Sequence, residues 1–392
     1  MRFSQFKIFA SDTTNASNHF KALDGLRGMA VLFVLLSHSS LSDVFIFPGI
    51  NFERIGKTGV FLFFVLSAYL LDRQIIKAFL SNKATWLYWA NYFLRRFLRI
   101  YPLFVIALIV FWSIGQFGIK SPIEDIKSIT EHLLLMKGEG IFWSIAVEFK
   151  YYFVSPFIMA ACNYFFKWDI KKVGIFIGAI IGLSIFLQWR FNFSEISLIR
   201  YLPIFLTGTL LSIFEALMEQ GKHQLNHTQI SEWTAAIALV LIILTFPHLF
   251  NFAFNQNFDL DHFHDPAFYL PFSLLWATVL IGAKYGKAGW LRKFFELKML
   301  RFLGLTSFSA YLFHILILKA VQLKPLGIDT NFQFYVFMFF TCIVAFTSYI
   351  LIEKPLSAIR IIKAPATGTY FFSSSRIKTK ALPKHEIIKE QG

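Results

Sequence analysis

Arg27 and His38 are the first residues whose types and spacing could do chemistry. They bracket the apolar run Met29 to Leu36, behind the charged, glycine-hinged phrase Asp24, Gly25, Leu26, Arg27, Gly28. Eleven helical residues turn through about 1100°, so both side chains return to nearly one face, about 16 Å apart along the axis. An ionisable side chain near the middle of a bilayer costs about 2.5 to 3.5 kcal/mol on insertion scales and must recover that from a partner, water or a task. His38 is therefore either a proton acceptor in a reaction or an imidazole hydrogen-bonded to a neighbouring helix.

Three further groupings have the same character. Arg95, Arg96 and Arg99 stand at the mouth of an apolar segment, with Arg95 and Arg99 four apart on one face. Their planar donors suit phosphate, or the anionic headgroups to which most juxtamembrane arginines bind. Trp143, Ser144 and Glu148 open another segment. Ser144 and Glu148 share a helical face, where the carboxylate could orient an imidazole, accept hydrogen bonds from sugar hydroxyls stacked on Trp143, or pair with Lys150 or Lys137. Tyr311 and His314, three apart, add a second intramembrane imidazole, while Glu353, Lys354 and Pro355 close the last apolar segment and read as a helix terminus.

These phrases, in this order, resemble the acyltransferase-3 family of integral-membrane O-acyltransferases. The resemblance rests on ALDGLRG with Arg27 and His38 ten residues apart, on RRFLRIYP from Arg95, on Trp143-Ser144 with Glu148, on Ser307 to His314, and on IEKP from Ile352. Ala68 stands where the family usually has glycine, a mild departure. The resemblance implies transfer of an acyl group, acetyl above all, from cytosolic acyl-CoA to a hydroxyl of a glycan or lipid-linked glycan such as lipopolysaccharide O-antigen or exopolysaccharide. It implies His38 and Glu148 as catalytic residues, Arg27, Arg95, Arg96 and Arg99 around the phosphates of acetyl-CoA, and Trp143, Ser144, Tyr311 and His314 against the acceptor. No metal is expected. His38 would take the acceptor's proton or carry the acyl group itself, and Glu148 would fix its tautomer if it reaches the ring.

The elements that must position these groups are membrane helices. A chain of 392 residues with 56% hydrophobic, 19% aromatic and 16% charged residues falls outside the soluble range of about 25% charged. The expected class is all-α, a polytopic membrane protein of about ten spans near 28–46, 58–79, 99–117, 144–164, 173–191, 197–217, 233–253, 267–284, 301–322 and 332–353, each about the length that crosses about 30 Å of hydrocarbon. Basic residues cluster in alternate loops (Arg73, Lys77, Lys83 and Arg95 to Arg99; Lys284 to Arg301) and in the tail, whereas Asp259, Asp261 and Asp265 mark an opposite loop. Positive-inside topology then predicts that both termini are cytoplasmic, and the resemblance implies a bacterial inner membrane.

The net charge of +15 is explained by these loops rather than by nucleic acid. Cys162 and Cys342 lie in apolar runs with no metal or disulfide spacing. The polar residues 1–22 contain no cleavable signal sequence, residues 23–356 form the transmembrane unit, and 357–392 read as a basic, flexible tail. Two other functions fit the same residues: a proton-coupled transporter using His38, His314 and Glu148 as a relay, and an acyltransferase for a small secondary metabolite such as a macrolide.

Overall fold

Hydrocarbon offers no partner to a backbone N–H or C=O, so an apolar run that enters it must satisfy those groups within itself, and a helix does so. Each of the ten apolar segments contains a helix in the computed structural model, which describes residues 21–363 and 370–374 apart from 48–49, 220–231, 247–249, 252–253, 255–265, 287–288 and 324–329. In chain order the helices are α1 Lys21–Ser40, α2 Ile55–Leu80, α3 Trp86–Gln116, α4 Ile126–Leu133, α5 Trp143–Tyr164, α6 Ile170–Arg190, α7 Leu198–Glu219 and α8 Glu232–Leu244. They continue as α9 Tyr269–Tyr285, α10 Trp290–Phe295, α11 Lys298–Leu305, α12 Ser307–Leu323, α13 Thr330–Ser348 and α14 Lys354–Ser357. Among the described residues seven helices are long and apolar enough to cross a membrane, and α11 with α12, bent by 82° at Thr306, makes an eighth candidate.

Several boundaries differ from the sequence reading. Helix α1 begins at Lys21, so Asp24 and Arg27 lie inside it. Arg73 and Lys77 belong to α2, and Arg95, Arg96 and Arg99 to α3, so the basic cluster sits on helical ends rather than in a loop. The acidic stretch Asp259 to Asp265 lies outside the described residues, as do 1–20. Within residues 357–392 the described part forms an antiparallel pair of strands, β1 Ile359–Lys363 and β2 Tyr370–Ser374, with Ile361 opposite Phe372. The Asn91 amide pins it to α3, donating to the Ile361 carbonyl at 3.0 Å and accepting its N–H at 2.8 Å.

Helix α1 is the axis of the bundle, buried on nearly every side, whereas α6 and α13 are largely exposed along their length. Its close approach to α10 and α11 depends on glycine. A Cβ at Gly28 would stand 1.9 Å from the Leu300 carbonyl oxygen, and one at Gly304 would stand 1.7 Å from that of Asp24. Backbone meets backbone there, the packing that small residues allow between membrane helices. Gly28→Ala is therefore expected to displace α11 and to leave little folded protein by fluorescence-detected size exclusion. Wild-type yield and elution from the alanine variant would contradict this packing.

Two buried polar clusters tie the bundle together. Asp72 of α2 accepts hydrogen bonds from Tyr151 at 2.7 Å, Thr209 at 2.6 Å and Ser155, joining α2, α5 and α7. Glu215 of α7 accepts from Lys284 of α9 and Tyr69 of α2, with Arg73 at 3.1 Å. Since an unpaired charge in such a place is costly, these sets hold the four helices in one register.

The segment before α5 is held by His132. Its Nδ1–H donates to the Ser128 carbonyl at 2.7 Å and its Nε2 accepts the Glu139 N–H at 3.1 Å, which fixes a neutral tautomer. Burial pushes its pKa below the ordinary 6.5. The unfolded chain then binds the proton more readily, so this contribution is fully present above about pH 6.5 and is lost as the pH falls from there through the lower folded-state value. Thermal unfolding in detergent should show a drop in midpoint between pH 7.5 and 5.5 that His132→Gln lacks. Equal pH dependence in the two proteins would assign the drop elsewhere.

Candidate active site

His38 sits near the end of α1 and His314 in the middle of α12. His38 Nδ1 lies 2.7 Å from His314 Nε2, and the rings stack with centroids 4.9 Å apart at 18°. His314 Nδ1 in turn lies 2.7 Å from the Tyr311 backbone oxygen. A carbonyl oxygen can only accept, so His314 carries its proton on Nδ1 and, as a neutral ring, presents the Nε2 lone pair to His38. His38 must then hold its own proton on Nδ1. Its Nε2 is left as a lone pair, the form a general base requires.

His38 is half-buried and lines a cavity of about 270 Å³, near the lower end of the range for small-ligand sites. Trp143, Tyr201, Lys57, Glu195 and Tyr311 share its walls. Trp143 stacks on Tyr201 at 5.0 Å and 27°, and Lys57 Nζ lies 5.3 Å from the centre of the Tyr269 ring. Flat aromatic faces with a cation and a carboxylate at the rim form a setting in which a sugar ring can stack and be hydrogen-bonded.

A second cavity lies toward the Arg27 end of α1. Arg27, Arg99, Ser144, Glu148 and Tyr152 line it, and it shares Val60 and Tyr311 with the first. Those two side chains are thus the partition between the spaces. Arg27 and His38 do face one direction from α1, each into its own compartment.

The expected contact between Glu148 and His38 does not form. Glu148 Oε1 accepts from Ser67 at 2.5 Å and from Tyr152 at 2.6 Å, and its cavity is that of the arginines. One helical turn separates the Trp143 and Glu148 levels along α5, which carries the carboxylate past the partition. His314 takes the orienting place instead. Nor do the lysines reach Glu148: Lys150 donates to the Ile196 carbonyl and Lys137 pairs with Glu131 at 3.0 Å.

The remaining expected residues divide. Ser144 donates to the Tyr311 hydroxyl at 2.8 Å, which donates to the Ile141 carbonyl at 2.7 Å, so this pair builds the partition. His314 is fully buried behind His38 and lines neither cavity. Of the four arginines, Arg27 and Arg99 enter the inner cavity. Arg95 donates to the Asn91 carbonyl, while Arg96 lies 5.5 Å from the centre of the Tyr152 ring and donates to Gln74, both outside that lining.

Sequence reasoning missed Ser67, Tyr152, Tyr201, Lys57 and Glu353. Glu353 read as a helix terminus, yet it accepts from Ser309 and lies within electrostatic reach of Arg99 and Arg27. The cause is a π-helical turn, Tyr349–Glu353, whose extra residue rotates the carboxylate inward. No spacing in the sequence signals that turn. Among the described residues no group of three or more His, Cys, Asp or Glu is placed to hold a metal ion.

Comparison with known proteins agrees with the kind of chemistry this arrangement can do. The model of a family described as an acyltransferase domain, Acyl_transf_3, matches residues 20–352. A Staphylococcus aureus protein (strain COL) provisionally named an O-acetyltransferase is 24% identical over 86% of this chain and 57% of its own length. YrhL of Bacillus subtilis, provisionally named a peptidoglycan O-acetyltransferase, is 22% identical over 88% of the chain and 56% of its own. The peptidoglycan O-acetyltransferase OatA of Listeria monocytogenes is 22% identical over 77% and 50% respectively. The chain thus spans about half the length of these relatives. No solved structure matches it.

Proposed function

The chain belongs to the acyltransferase-3 family, and from that premise we propose that it is a membrane O-acetyltransferase moving an acetyl group from acyl-CoA to a hydroxyl of a cell-envelope glycan. The observation that carries this reading is the chain of contacts from the Tyr311 carbonyl through His314 to His38, which leaves His38 Nε2 as a lone pair in the wall of a sugar-sized cavity. The relatives' names put peptidoglycan ahead of lipopolysaccharide and exopolysaccharide as the acceptor.

In this mechanism the acceptor hydroxyl lies in the outer cavity against Trp143 and gives its proton to His38 Nε2 as its oxygen attacks the thioester carbonyl. The tetrahedral adduct collapses with cleavage of the carbon–sulfur bond, and the imidazolium returns the proton to the departing sulfur. His314 holds the ring in position and accepts from Nδ1–H throughout. The thioester reaches His38 by passing Val60 and Tyr311, from the compartment lined by Arg27 and Arg99. Phosphates of the donor would bind where that compartment opens, between Arg99 in its lining and Arg95 and Arg96 outside it, on the cytoplasmic side by the positive-inside rule.

Loss of one charge-assisted contact of this kind costs about 1.5 to 3 kcal/mol, so Arg99→Gln is expected to raise the donor KM by about 10- to 150-fold. The acceptor KM should stay unchanged. The reading as a whole is tested by NMR of O-acetyl groups on purified peptidoglycan, lipopolysaccharide and exopolysaccharide from cells with and without the protein. An acetyl signal on one polymer that requires the protein is expected. Identical acetylation of all three in the null strain would overturn it.

A further inference from the structure

A third cavity, of about 620 Å³, opens beside the His38 compartment between the end of α6 and the start of α7. Gln188, Trp189, Arg190, Phe191 and Arg200 furnish most of its chemistry. Nothing in the transfer mechanism uses it. Its lining carries three aromatic rings, two guanidinium groups and two side-chain amides.

Two of the aromatics are turned outward, Trp189 at 82% and Phe191 at 56% exposure, and the Arg190 guanidinium stands 5.8 Å from the centre of the Phe191 ring. Arg200 Nη1 donates to the Phe193 carbonyl at 3.3 Å, which leaves its buried Nε without a partner. Gln188 spends its Nε2 on the Ile199 and Ser184 carbonyls, leaving Oε1 buried and unpaired. Among the described residues neither Arg190 nor Arg200 has a carboxylate within ion-pair distance. A buried donor and a buried acceptor without partners, beside two uncompensated cations, call for a ligand with an anionic group and hydroxyls.

The position says which ligand. Glu195 and Tyr201 line the His38 cavity, whereas Phe193 and Arg200 line this one, so the linker between α6 and α7 is a shared wall. We propose that this cavity is a second acceptor subsite, which holds the adjoining, carboxylate-bearing sugar of the glycan being modified. The proposal rests on the transfer reading for the identity of the glycan but not for binding itself. Trp189 and Phe191 stack against the sugar faces, and the two arginines hold the carboxylate.

The test measures binding first and transfer second. The probe is a tetrasaccharide in which every second sugar carries a carboxylate, compared with its carboxyl-reduced form. Both are titrated calorimetrically onto the His38→Ala protein in nanodiscs of zwitterionic lipid. The acidic probe should bind at least tenfold more tightly than the reduced one, and Arg190→Gln with Arg200→Gln should erase that difference. In the catalytically intact background the same pair of changes should raise the KM for the acidic tetrasaccharide tenfold or more. Turnover of a monosaccharide and the donor KM should not move.

Equal affinity for the two probes, or a preference that survives loss of both arginines, would overturn the subsite. Nanodiscs containing anionic lipid form a separate arm. If anionic lipid abolishes the preference by occupying the arginines, the cavity is a headgroup site and the proposal is wrong. Arginine-dependent binding of the acidic probe without any acetyl transfer would uphold the subsite while contradicting the proposed function.

Discussion

Replacing His38 with alanine is expected to lower acetyl transfer by about 10²- to 10⁴-fold, the usual worth of a positioned general base, with wild-type amounts of protein still in the membrane. The side chain stands at the wall of the outer cavity, and its only polar contact among the described residues is with His314. Its loss therefore removes the base and one interhelical hydrogen bond. Such bonds between membrane helices average about 0.6 kcal/mol, too little to unfold a bundle that has the Asp72 and Glu215 clusters. His38→Gln separates the two effects further, because its amide can still donate to His314 while offering no basic nitrogen. Both variants should lose kcat and keep both KM values near wild type.

The second large effect is at His314. His314→Leu is expected to reduce kcat by about 10- to 150-fold, from the 1.5 to 3 kcal/mol carried by a hydrogen bond to a charged group. The reason is the tautomer. Without an acceptor opposite Nδ1, the His38 ring can turn or move its proton to Nε2, and either change withdraws the lone pair from the cavity. His314→Gln offers an amide oxygen at a similar reach and should recover part of the rate. A role in packing alone would be met as well by Leu as by Gln, and a role in binding acceptor would appear in KM. Recovery by Gln with an unchanged KM identifies His314 as a positioning residue.

These two predictions also mark what the sequence could and could not say. Arg27 and His38 were legible because both lie on one unbroken helix, where spacing alone sets direction and distance. The same held for the apolar segments, whose helical form is forced by the solvent they occupy. The partner of His38 was not legible, since His38 and His314 are 276 residues apart and meet only through tertiary packing. Glu148 looked the better partner by analogy with an acid–imidazole pair, and the structure moves it one turn too far along α5. Glu353 was hidden by the π-helical turn, which breaks the periodicity on which any facing argument depends. The cation clusters were read correctly as basic, but their division into Arg27 and Arg99 inside and Arg95 and Arg96 outside depends on how α1 and α3 pack.

Glycines were legible only as a hinge. Their actual use at Gly28 and Gly304 is backbone contact between α1 and α11, and this follows from the 82° bend at Thr306 rather than from local sequence. The bend also lets α11 lie across α1 while α12 runs on to bring Tyr311 to the partition and His314 to His38.

The central claim is that His38 Nε2 accepts the acceptor's proton during acyl transfer. It is tested most directly by single-turnover transfer of labelled acetyl from acetyl-CoA to a glycan oligosaccharide, using purified wild-type, His38→Gln and His38→Ala proteins in nanodiscs. The account predicts transfer by wild type and a loss of at least a hundredfold in both variants, with donor binding intact in each. Transfer by His38→Gln within a few fold of wild type would contradict it, because an amide cannot take the proton that the mechanism assigns to His38.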